Sequence, residues 1–232
     1  MNIGESYIKE DLFVFSLKNV AFRDIIEIGY LVIPENKVTC IVGESGSGKT
    51  TLLKLLNNLI SPDKGDILHQ DKRLEEFDPV ELRRRVVMLP QVPVIFPGTI
   101  RKNLLMGIEL SDREPVEDRV LVSHLKGAKV DKDLDSDASK LSGGEKQRLA
   151  LCRITLMKPE VLLLDEPSSA LDDGTEELII ESMVSFARKE RKTLIMVTHS
   201  KRIARTYGEY IVSMDKGKVV QVEEVNLDER DH

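Results

Sequence analysis

Two strand-like apolar runs come first along the chain, at residues 13–22 and 25–33, and the polar pair Arg23-Asp24 separates them. A turn signal, Pro34-Glu35-Asn36, follows the second run. Short apolar runs bounded by polar and turn-forming residues are typical of β-strands. The pattern therefore predicts an N-terminal β region, which we expect to be antiparallel.

The next segment changes from strand to helix periodicity across a glycine-rich turn. Residues 37–42 form a compact β-branched run that stops at this turn. Residues 49–60 then show helical spacing in five leucines, Leu52, Leu53, Leu55, Leu56 and Leu59. Apolar residues at that spacing indicate a helix with one buried face. The order strand, loop, helix is thus predicted for residues 37–60.

Strands and helices alternate again in the second half of the chain. Strands are predicted at residues 66–69, 161–164 and 193–197, helices at 78–85, 141–156, 176–189 and 201–207, and a closing hairpin at 210–214 and 219–222. Residues 92–140 are charged and irregular, and we interpret them as part of an inserted helical subdomain. The alternation predicts an α/β fold whose mostly parallel sheet is covered on both faces.

The length favours one domain over residues 1–232 rather than two. We expect a core at about residues 10–90 and 158–222, an inserted α-helical subdomain at about 91–157, and a polar tail at 223–232.

Composition and charge exclude several classes of protein. The 232 residues are 41% hydrophobic and 32% charged, which is typical of a globular chain rather than a disordered or collagen-like one. The 40 acidic residues outnumber the 34 basic ones, which argues against a nucleic-acid partner bound through its phosphates. Cys40 and Cys152 lie in apolar sequence and are expected to be buried free thiols.

The start of the chain has no apolar run of the length that a signal peptide needs, and no stretch of ~18 apolar residues occurs anywhere. We therefore expect a cytoplasmic location.

The glycine-rich turn carries the phosphate-binding pattern G-x-x-x-x-G-K-[ST]. Its residues are Gly43, Glu44, Ser45, Gly46, Ser47, Gly48, Lys49 and Thr50, with Thr51 next in the predicted helix. Glycines let backbone N–H groups converge on phosphate oxygens, the lysine reaches the β- and γ-phosphates, and the Thr50 hydroxyl can hold Mg²⁺. Because a predicted strand precedes the pattern and a helix follows it, a P-loop NTPase core is favoured over a flexible surface turn.

Two acids, Asp165 and Glu166, follow the apolar run at residues 161–164. A buried strand that ends in two acids is common, so this feature alone is weak. Ligands of α/β sheets bind beyond the carboxyl ends of the strands, which places the pair beside phosphates held by the P-loop. Asp165 would then hold Mg²⁺ and Glu166 would orient or deprotonate the attacking water.

A third motif, Leu141-Ser142-Gly143-Gly144-Glu145, opens the predicted helix at residues 141–156. Capping rules alone would accept it as a serine N-cap followed by glycines. With a P-loop upstream and an Asp-Glu pair downstream, however, the motif resembles the signature of the ABC ATPase family, the nucleotide-binding domains of ATP-binding-cassette transporters. The resemblance covers about residues 12–222.

The family resemblance extends to three more positions. Gln91 resembles the Q-loop glutamine that touches Mg²⁺ and the water. Residues 169–172, ending at Asp172, resemble the D-loop, and His199 resembles the switch histidine at the γ-phosphate. The other histidines, His69, His124 and His232, match no motif and are expected at the surface.

The resemblance also implies partners. In the family a head-to-tail dimer closes each signature (here residues 142–145) over the ATP of the other subunit, so we expect an ATP-dependent homodimer that uses ATP and Mg²⁺. A separate membrane permease would dock beside Gln91, which would hold the chain at the inner face of the cell membrane. Residues 92–105 suit that contact, although Val94, Ile95 and Phe96 could equally pack the helical subdomain.

One departure concerns the base of the nucleotide. The family usually has an aromatic residue that stacks on adenine shortly after the first strand, and Asp24 occupies the expected position. Phe22 or Arg23 could supply another stacking face, and Phe22 could instead belong to the core.

The sequence leaves alternatives open for the direction of transport and for the wider class of protein. The segment after Gln91 is most similar to exporter-type cassettes, among them small ATPases associated with metal or iron export. An importer ATPase stays open, as does a soluble ABC ATPase of DNA repair or translation. A P-loop kinase would explain residues 43–50 but leaves Gln91, the signature and His199 without a role.

Overall fold

The computed structural model describes residues 12–111, 113–114, 116–167 and 173–225. Their strands are β1 (Phe13–Phe22), β2 (Ile26–Pro34), β3 (Val38–Val42), β4 (Lys64–His69), β5 (Lys72–Arg73), β6 (Val86–Leu89), β7 (Val161–Asp165), β8 (Thr193–Val197), β9 (Tyr210–Asp215) and β10 (Lys218–Glu224). Their α-helices are α1 (Lys49–Leu56), α2 (Pro79–Arg85), α3 (Ile100–Leu110), α4 (Asp118–Gly127), α5 (Gly143–Leu156), α6 (Asp173–Lys189) and α7 (Lys201–Tyr207). The predicted D-loop position Asp172, the end of the polar tail and His232 lie outside the described residues.

Six strands form a mostly parallel sheet in the order β10-β9-β3-β8-β7-β6, and only β10 runs antiparallel to its neighbour. Alternate residues of β7 enter two different apolar clusters: Val161 and Leu163 belong to one, and Leu162 and Leu164 to the other. Both faces of this sheet are therefore covered, which explains why its inner strands are continuous apolar runs instead of alternating ones.

A second sheet of four antiparallel strands, in the order β2-β1-β4-β5, packs on one side of the parallel sheet. Its inward residues, such as Phe15, Leu17 and Ile28, share an apolar cluster with Leu52 and Leu53 of α1. The predicted α/β fold, with its mostly parallel sheet and N-terminal antiparallel region, is confirmed.

The segment between β6 and β7 is helical and has a third apolar cluster of its own. Helices α3, α4 and α5 supply it through residues such as Leu104, Leu121 and Leu149. Helix α5 also sends Ala150 and Ile154 into the cluster on the parallel sheet. This helix therefore connects the helical segment to the sheet.

The structure differs from the predicted elements at the end of α1 and at β6. Helix α1 ends at Leu56 rather than at residue 60, because Asn58 takes a left-handed φ of 52° and the Leu59 N–H turns back to the Lys54 carbonyl at 2.9 Å. Strand β6 was not predicted because four apolar residues directly after a helix are too few to show a periodicity; the structure pairs it with β7 at the sheet edge.

His69 is buried, with 1% of its surface exposed, so the expectation of a surface position was wrong. Its ring lies between Phe15 and Phe77, with centroid distances of 5.1 and 5.6 Å, and its Nδ1 lies 3.0 Å from the Val14 carbonyl oxygen. Side chains alternate between the two faces of a β-strand, and the side chain of His69 lies on the inner face of β4. His124 is half-buried on α4.

The buried imidazole makes stability depend on pH. Burial lowers the pKa of His69, Arg85 adds to the effect, and the Val14 carbonyl and Glu160 oppose it. As the pH falls below about 6.5, the unfolded chain takes up a proton that the folded chain refuses, so the folded state loses stability. We expect His69→Phe to weaken this loss; melting temperatures measured between pH 7.5 and 5.5 should fall less in the variant, and parallel curves would contradict the assignment.

Both cysteines are buried thiols that form no disulfide among the described residues, in agreement with the prediction. None of the helices in the described part of the chain is both long and apolar enough to cross a membrane.

Candidate functional site

The P-loop pattern occupies the turn between β3 and α1, and two of its glycines cannot be replaced without strain. At Gly43, with φ of 155°, a Cβ would lie 2.2 Å from the Met214 carbonyl oxygen. At Gly48, with φ of 97°, it would lie 2.8 Å from Cδ1 of Ile26. Because L-residues rarely adopt these φ values and the space is already filled, only glycine permits this close turn.

Lys49 is buried at the start of α1, and its ammonium group points back into the turn. Its Nζ donates to the carbonyl oxygens of Gly43 at 2.8 Å and Glu44 at 2.7 Å. Burial lowers the pKa of Lys49, and the nearby carboxylates of Glu166 and Asp165 oppose that shift. Glu44, Ser45 and Gly46 form the exposed tip of the turn, Ser47 is buried, and Thr51 is half-buried in α1.

Asp165 ends β7 beside the start of α1. Its Oδ1 accepts a hydrogen bond from the Thr50 hydroxyl at 3.0 Å. Burial raises the pKa of Asp165 and the charge of Glu166 adds to this, whereas the Thr50 bond, Lys54 and Lys49 lower it. A buried carboxylate next to a hydroxyl is the kind of oxygen pair that fits Mg²⁺, which in nucleotide sites is held by one or two carboxylates together with phosphate oxygens.

Glu166, Gln91 and His199 meet directly. Gln91 Nε2 donates to Glu166 Oε2 at 2.8 Å, and His199 Nε2 contacts Glu166 Oε1. The backbone of Glu166 has a left-handed φ of 45°, and its N–H donates to the Val197 carbonyl at 3.2 Å. Such a conformation is costly for a non-glycine residue and persists where the surroundings hold it, as at functional sites.

The sheet explains why these residues meet. The P-loop follows β3, His199 follows β8, Glu166 follows β7 and Gln91 follows β6, and these strands are neighbours in that order. In this sheet Val197 pairs with Ile41 and with Asp165, and Leu89 pairs with Leu164, so the strands end at one level. The side chains that were predicted to lie at the carboxyl ends of the strands therefore lie there together in the structure.

The signature residues form the start of α5. Ser142 caps the helix by accepting from the Glu145 N–H at 3.3 Å, and the Glu145 carboxylate accepts from the Ser142 N–H at 2.8 Å. A Cβ added at Gly143 would have open space around it. Among the described residues, the side-chain hydrogen bonds of Ser142 and Glu145 join these two residues to each other and none joins either of them to the P-loop.

The turn after β1 lies next to the P-loop, but Phe22 does not project freely there. It packs partly on the core, and the Arg23 guanidinium stacks over its ring at 5.0 Å. Asp24 is exposed. The neighbouring Ile25, which sequence reasoning missed, is 40% exposed, and its carbonyl oxygen would lie 3.2 Å from a Cβ at Gly48.

Sequence reasoning missed Arg153, and for the segment after Gln91 it left partner contact and packing open as alternatives. Phe96 lies under the Arg153 guanidinium, 5.0 Å from its ring centroid, and Ile95 packs on the helical cluster. Val94 and Val92, by contrast, are 56% and 77% exposed. The one sequence signal for Arg153 is a charged residue within the mostly apolar second half of α5.

The chain was compared with protein families and with known proteins, and both comparisons found matches. A family model described as "ABC transporter" matches residues 30–169. The chain is 40% identical over 199 residues to the lactococcin-A transport/processing ATP-binding protein LcnC of Lactococcus lactis subsp. lactis. That match covers 82% of this chain and 27% of the relative, so the chain spans about a quarter of the relative's length.

Two solved structures are similar over most of the chain. A bacterial Atm1-family ABC exporter with ATP bound has a TM-score of 0.82 at 28% identity, over 98% of this chain and 41% of the exporter chain. The ATP-binding cassette MJ0796, a dimer in a post-hydrolysis state bound to ADP and Pi, has a TM-score of 0.79 at 27% identity, over 91% of this chain and 99% of that chain.

Proposed function

Because the chain belongs to the ABC transporter family and is an ABC ATPase domain, we propose that it hydrolyses ATP at a composite dimer site and so drives a membrane permease. The observation that carries the proposal is the Glu166 carboxylate, held between Gln91 and His199 beside the Asp165–Thr50 pair and within the field of Lys49.

Binding begins at the P-loop. Its backbone N–H groups and the positive end of α1 attract phosphate oxygens. The Lys49 ammonium, which now donates to the Gly43 and Glu44 carbonyls, carries three donors and can turn one or more to the β- and γ-phosphates. ATP binding is what the family and the solved relatives support most directly.

Mg²⁺ would be held by Asp165 and the Thr50 hydroxyl, with Gln91 as a further oxygen donor. When bound, it neutralises charge on the β- and γ-phosphate oxygens. Asp165 is buried beside the Glu166 carboxylate, and both the burial and that charge raise its pKa. A divalent cation would offset the negative charge of the two carboxylates.

Hydrolysis needs a water aligned with the γ-phosphorus. The Glu166 carboxylate would accept a proton from that water as its oxygen bonds to phosphorus and the bond to the ADP oxygen breaks. Gln91 fixes one oxygen of Glu166, and His199 lies at the other. The imidazole would also contact the γ-phosphate, which links the position of the base to the presence of that phosphate.

The dimer completes the site. The start of α5 offers the Ser142 hydroxyl, the N–H groups of Gly143 and Gly144, and a helix dipole. Among the described residues it forms no hydrogen bond with the P-loop of its own chain. We propose that Ser142 to Glu145 close over the ATP of a second copy, with Asp172 of the D-loop at the dimer contact. Loss of the γ-phosphate contacts would then release the closed state.

We propose that the permease contacts the exposed apolar pair Val92 and Val94. In this proposal the permease is a separate chain, and it would hold this domain at the inner face of the membrane. Both side chains lie directly after Gln91, so a partner seated on them would act on the residue that touches Glu166. Phe96 is assigned to packing instead, because Arg153 covers its ring.

In this proposal the membrane subunit determines which substrate is transported. Relatives named for lactococcin transport and as an exporter favour export over import. They give no support to the metal or iron export suggested by the sequence, and a peptide substrate is the candidate that the relative's name favours.

The proposal is tested by affinity capture of tagged Glu166→Gln protein with Mg-ATP from detergent-solubilised membranes of its own source. Recovery of a multi-span membrane protein is expected. Recovery of ribosomes or DNA-repair proteins without a membrane protein would favour the soluble class of ABC ATPases instead. An importer would be distinguished by a permease whose transport requires an external binding protein.

The docking surface is tested in the same capture. The double change Val92→Asp and Val94→Asp, added to Glu166→Gln, is expected to remove the membrane protein because two charges would be buried without partners. Nucleotide binding should persist, since both side chains are largely exposed and neither belongs to the P-loop pattern. The exposed Val220→Asp and Val222→Asp pair on β10 is the matched control; equal loss with both pairs would contradict the assigned surface.

A further inference from the structure

Arg153 is a buried arginine in the middle of α5, and no carboxylate in the part of the chain that the structure describes forms an ion pair with it. Only 9% of its surface is exposed, and none of the ion pairs among the described residues includes it. Its Nη2 donates instead to the carbonyl oxygen of Val94 at 2.7 Å, and its Cζ lies 5.0 Å from the Phe96 ring centroid. Because a buried charge without a counterion is costly, these contacts call for a functional explanation.

Asn103 of α3 completes the arrangement. It is fully buried, its Oδ1 accepts from the Phe96 N–H at 2.9 Å, and its Nδ2 donates to the carbonyl oxygens of Phe96 at 2.9 Å and Thr99 at 3.0 Å. Arg153 Nη1 lies 3.5 Å from the same Oδ1. The two side chains thus hold the backbone of residues 94–96 from two helices.

The segment they hold leads directly to the catalytic group. Gln91 lies between the end of β6 at Leu89 and the fixed carbonyl of Val94, and its amide donates to Glu166. With both of its ends fixed, this short stretch leaves the Gln91 side chain little freedom. A shift of α5 would therefore be passed through Arg153 to the contact between Gln91 and Glu166.

We propose that Arg153 is a positioning residue that ties α5 to the base. The same helix begins at Ser142, which the proposed function places on the ATP of the second copy. One rigid element thus carries both the contact made on dimer closure and the anchor of the Gln91 segment. The proposal rests on that function, and it adds a physical link by which closure sets Gln91 against Glu166.

The test measures kcat and KM for ATP in Arg153→Met and Arg153→Lys. Arg153→Met keeps most of the length but removes the donors, and we expect kcat to fall about 10- to 100-fold with KM little changed, since misplacing a catalytic group acts on turnover. Arg153→Lys keeps a charge and a donor for the Val94 carbonyl but loses the planar guanidinium whose two Nη atoms face Val94 and Asn103, so this variant should retain an intermediate kcat.

Leu121→Ala is the control for lost stability. Leu121 is fully buried in the same helical cluster and makes none of these hydrogen bonds, so this variant should melt earlier but keep its kcat. A kcat of Arg153→Met within about twofold of the parent, or a loss that appears only in KM, would overturn the proposal. A parent chain that hydrolyses no ATP would instead remove the proposed function itself, and the two failures are thereby distinct.

Discussion

Replacing Glu166 by Gln is expected to lower ATP turnover by about 10²- to 10⁴-fold while ATP stays bound, because the amide cannot accept the proton of the attacking water. The glutamine keeps the shape of the side chain and one oxygen, so the contact with either Gln91 or His199 can persist. Steady-state phosphate release gives the turnover, and equilibrium binding of nucleotide gives the affinity. The variant should also hold the dimer together in Mg-ATP, as size-exclusion chromatography would show.

Glu160→Gln is the matched control for this change. Glu160 directly precedes β7, whereas Glu166 directly follows it, so the two acids flank opposite ends of one strand. Glu160 pairs with Arg85 through two contacts of 2.8 and 2.9 Å at the surface, where an ion pair contributes little to stability. Normal turnover is expected in the control, and normal turnover in Glu166→Gln would remove Glu166 from the role of base.

Replacing Lys49 by Ala is expected to act on binding instead of on turnover alone. Hydrogen bonds to a charged group contribute about 1.5–3 kcal/mol, which corresponds to roughly a 10- to 100-fold weaker Kd for ATP. The change also removes one of the positive charges near Asp165 and Glu166, while the exposed Lys54 remains. Titration calorimetry with Mg-ATP measures the affinity directly.

Lys54→Ala serves as the control for Lys49. Lys54 is exposed on the last turn of α1, so its removal keeps the helix and changes the net charge by the same amount. Its affinity for ATP should stay within about twofold, because an exposed charge is largely screened by solvent. Equal weakening in both variants would mean that net charge, and not the placement of Lys49 in the turn, governs binding.

The local pattern of the sequence was sufficient for most of the elements. Helix α7 and strand β8 have the bounds that the periodicity predicts, and the P-loop lies between a strand and a helix. These features depend on residues that are close together in the chain, where spacing and turn chemistry decide the conformation. His69 shows the limit: a polar residue in a short strand has two faces available, and only packing against Phe15 and Phe77 selected the inner one.

The sequence by itself determined the parallel α/β core, the phosphate-binding turn and the two acids at the end of a buried strand, because each is a short-range pattern with a direct physical meaning. Only the tertiary structure decided that β3, β8, β7 and β6 lie side by side with their ends at one level, which brings His199 and Gln91 onto Glu166. It also decided that Arg153 turns toward the segment after Gln91. Strand order and burial arise from contacts between residues far apart in the chain, so they cannot be inferred from a local sequence pattern.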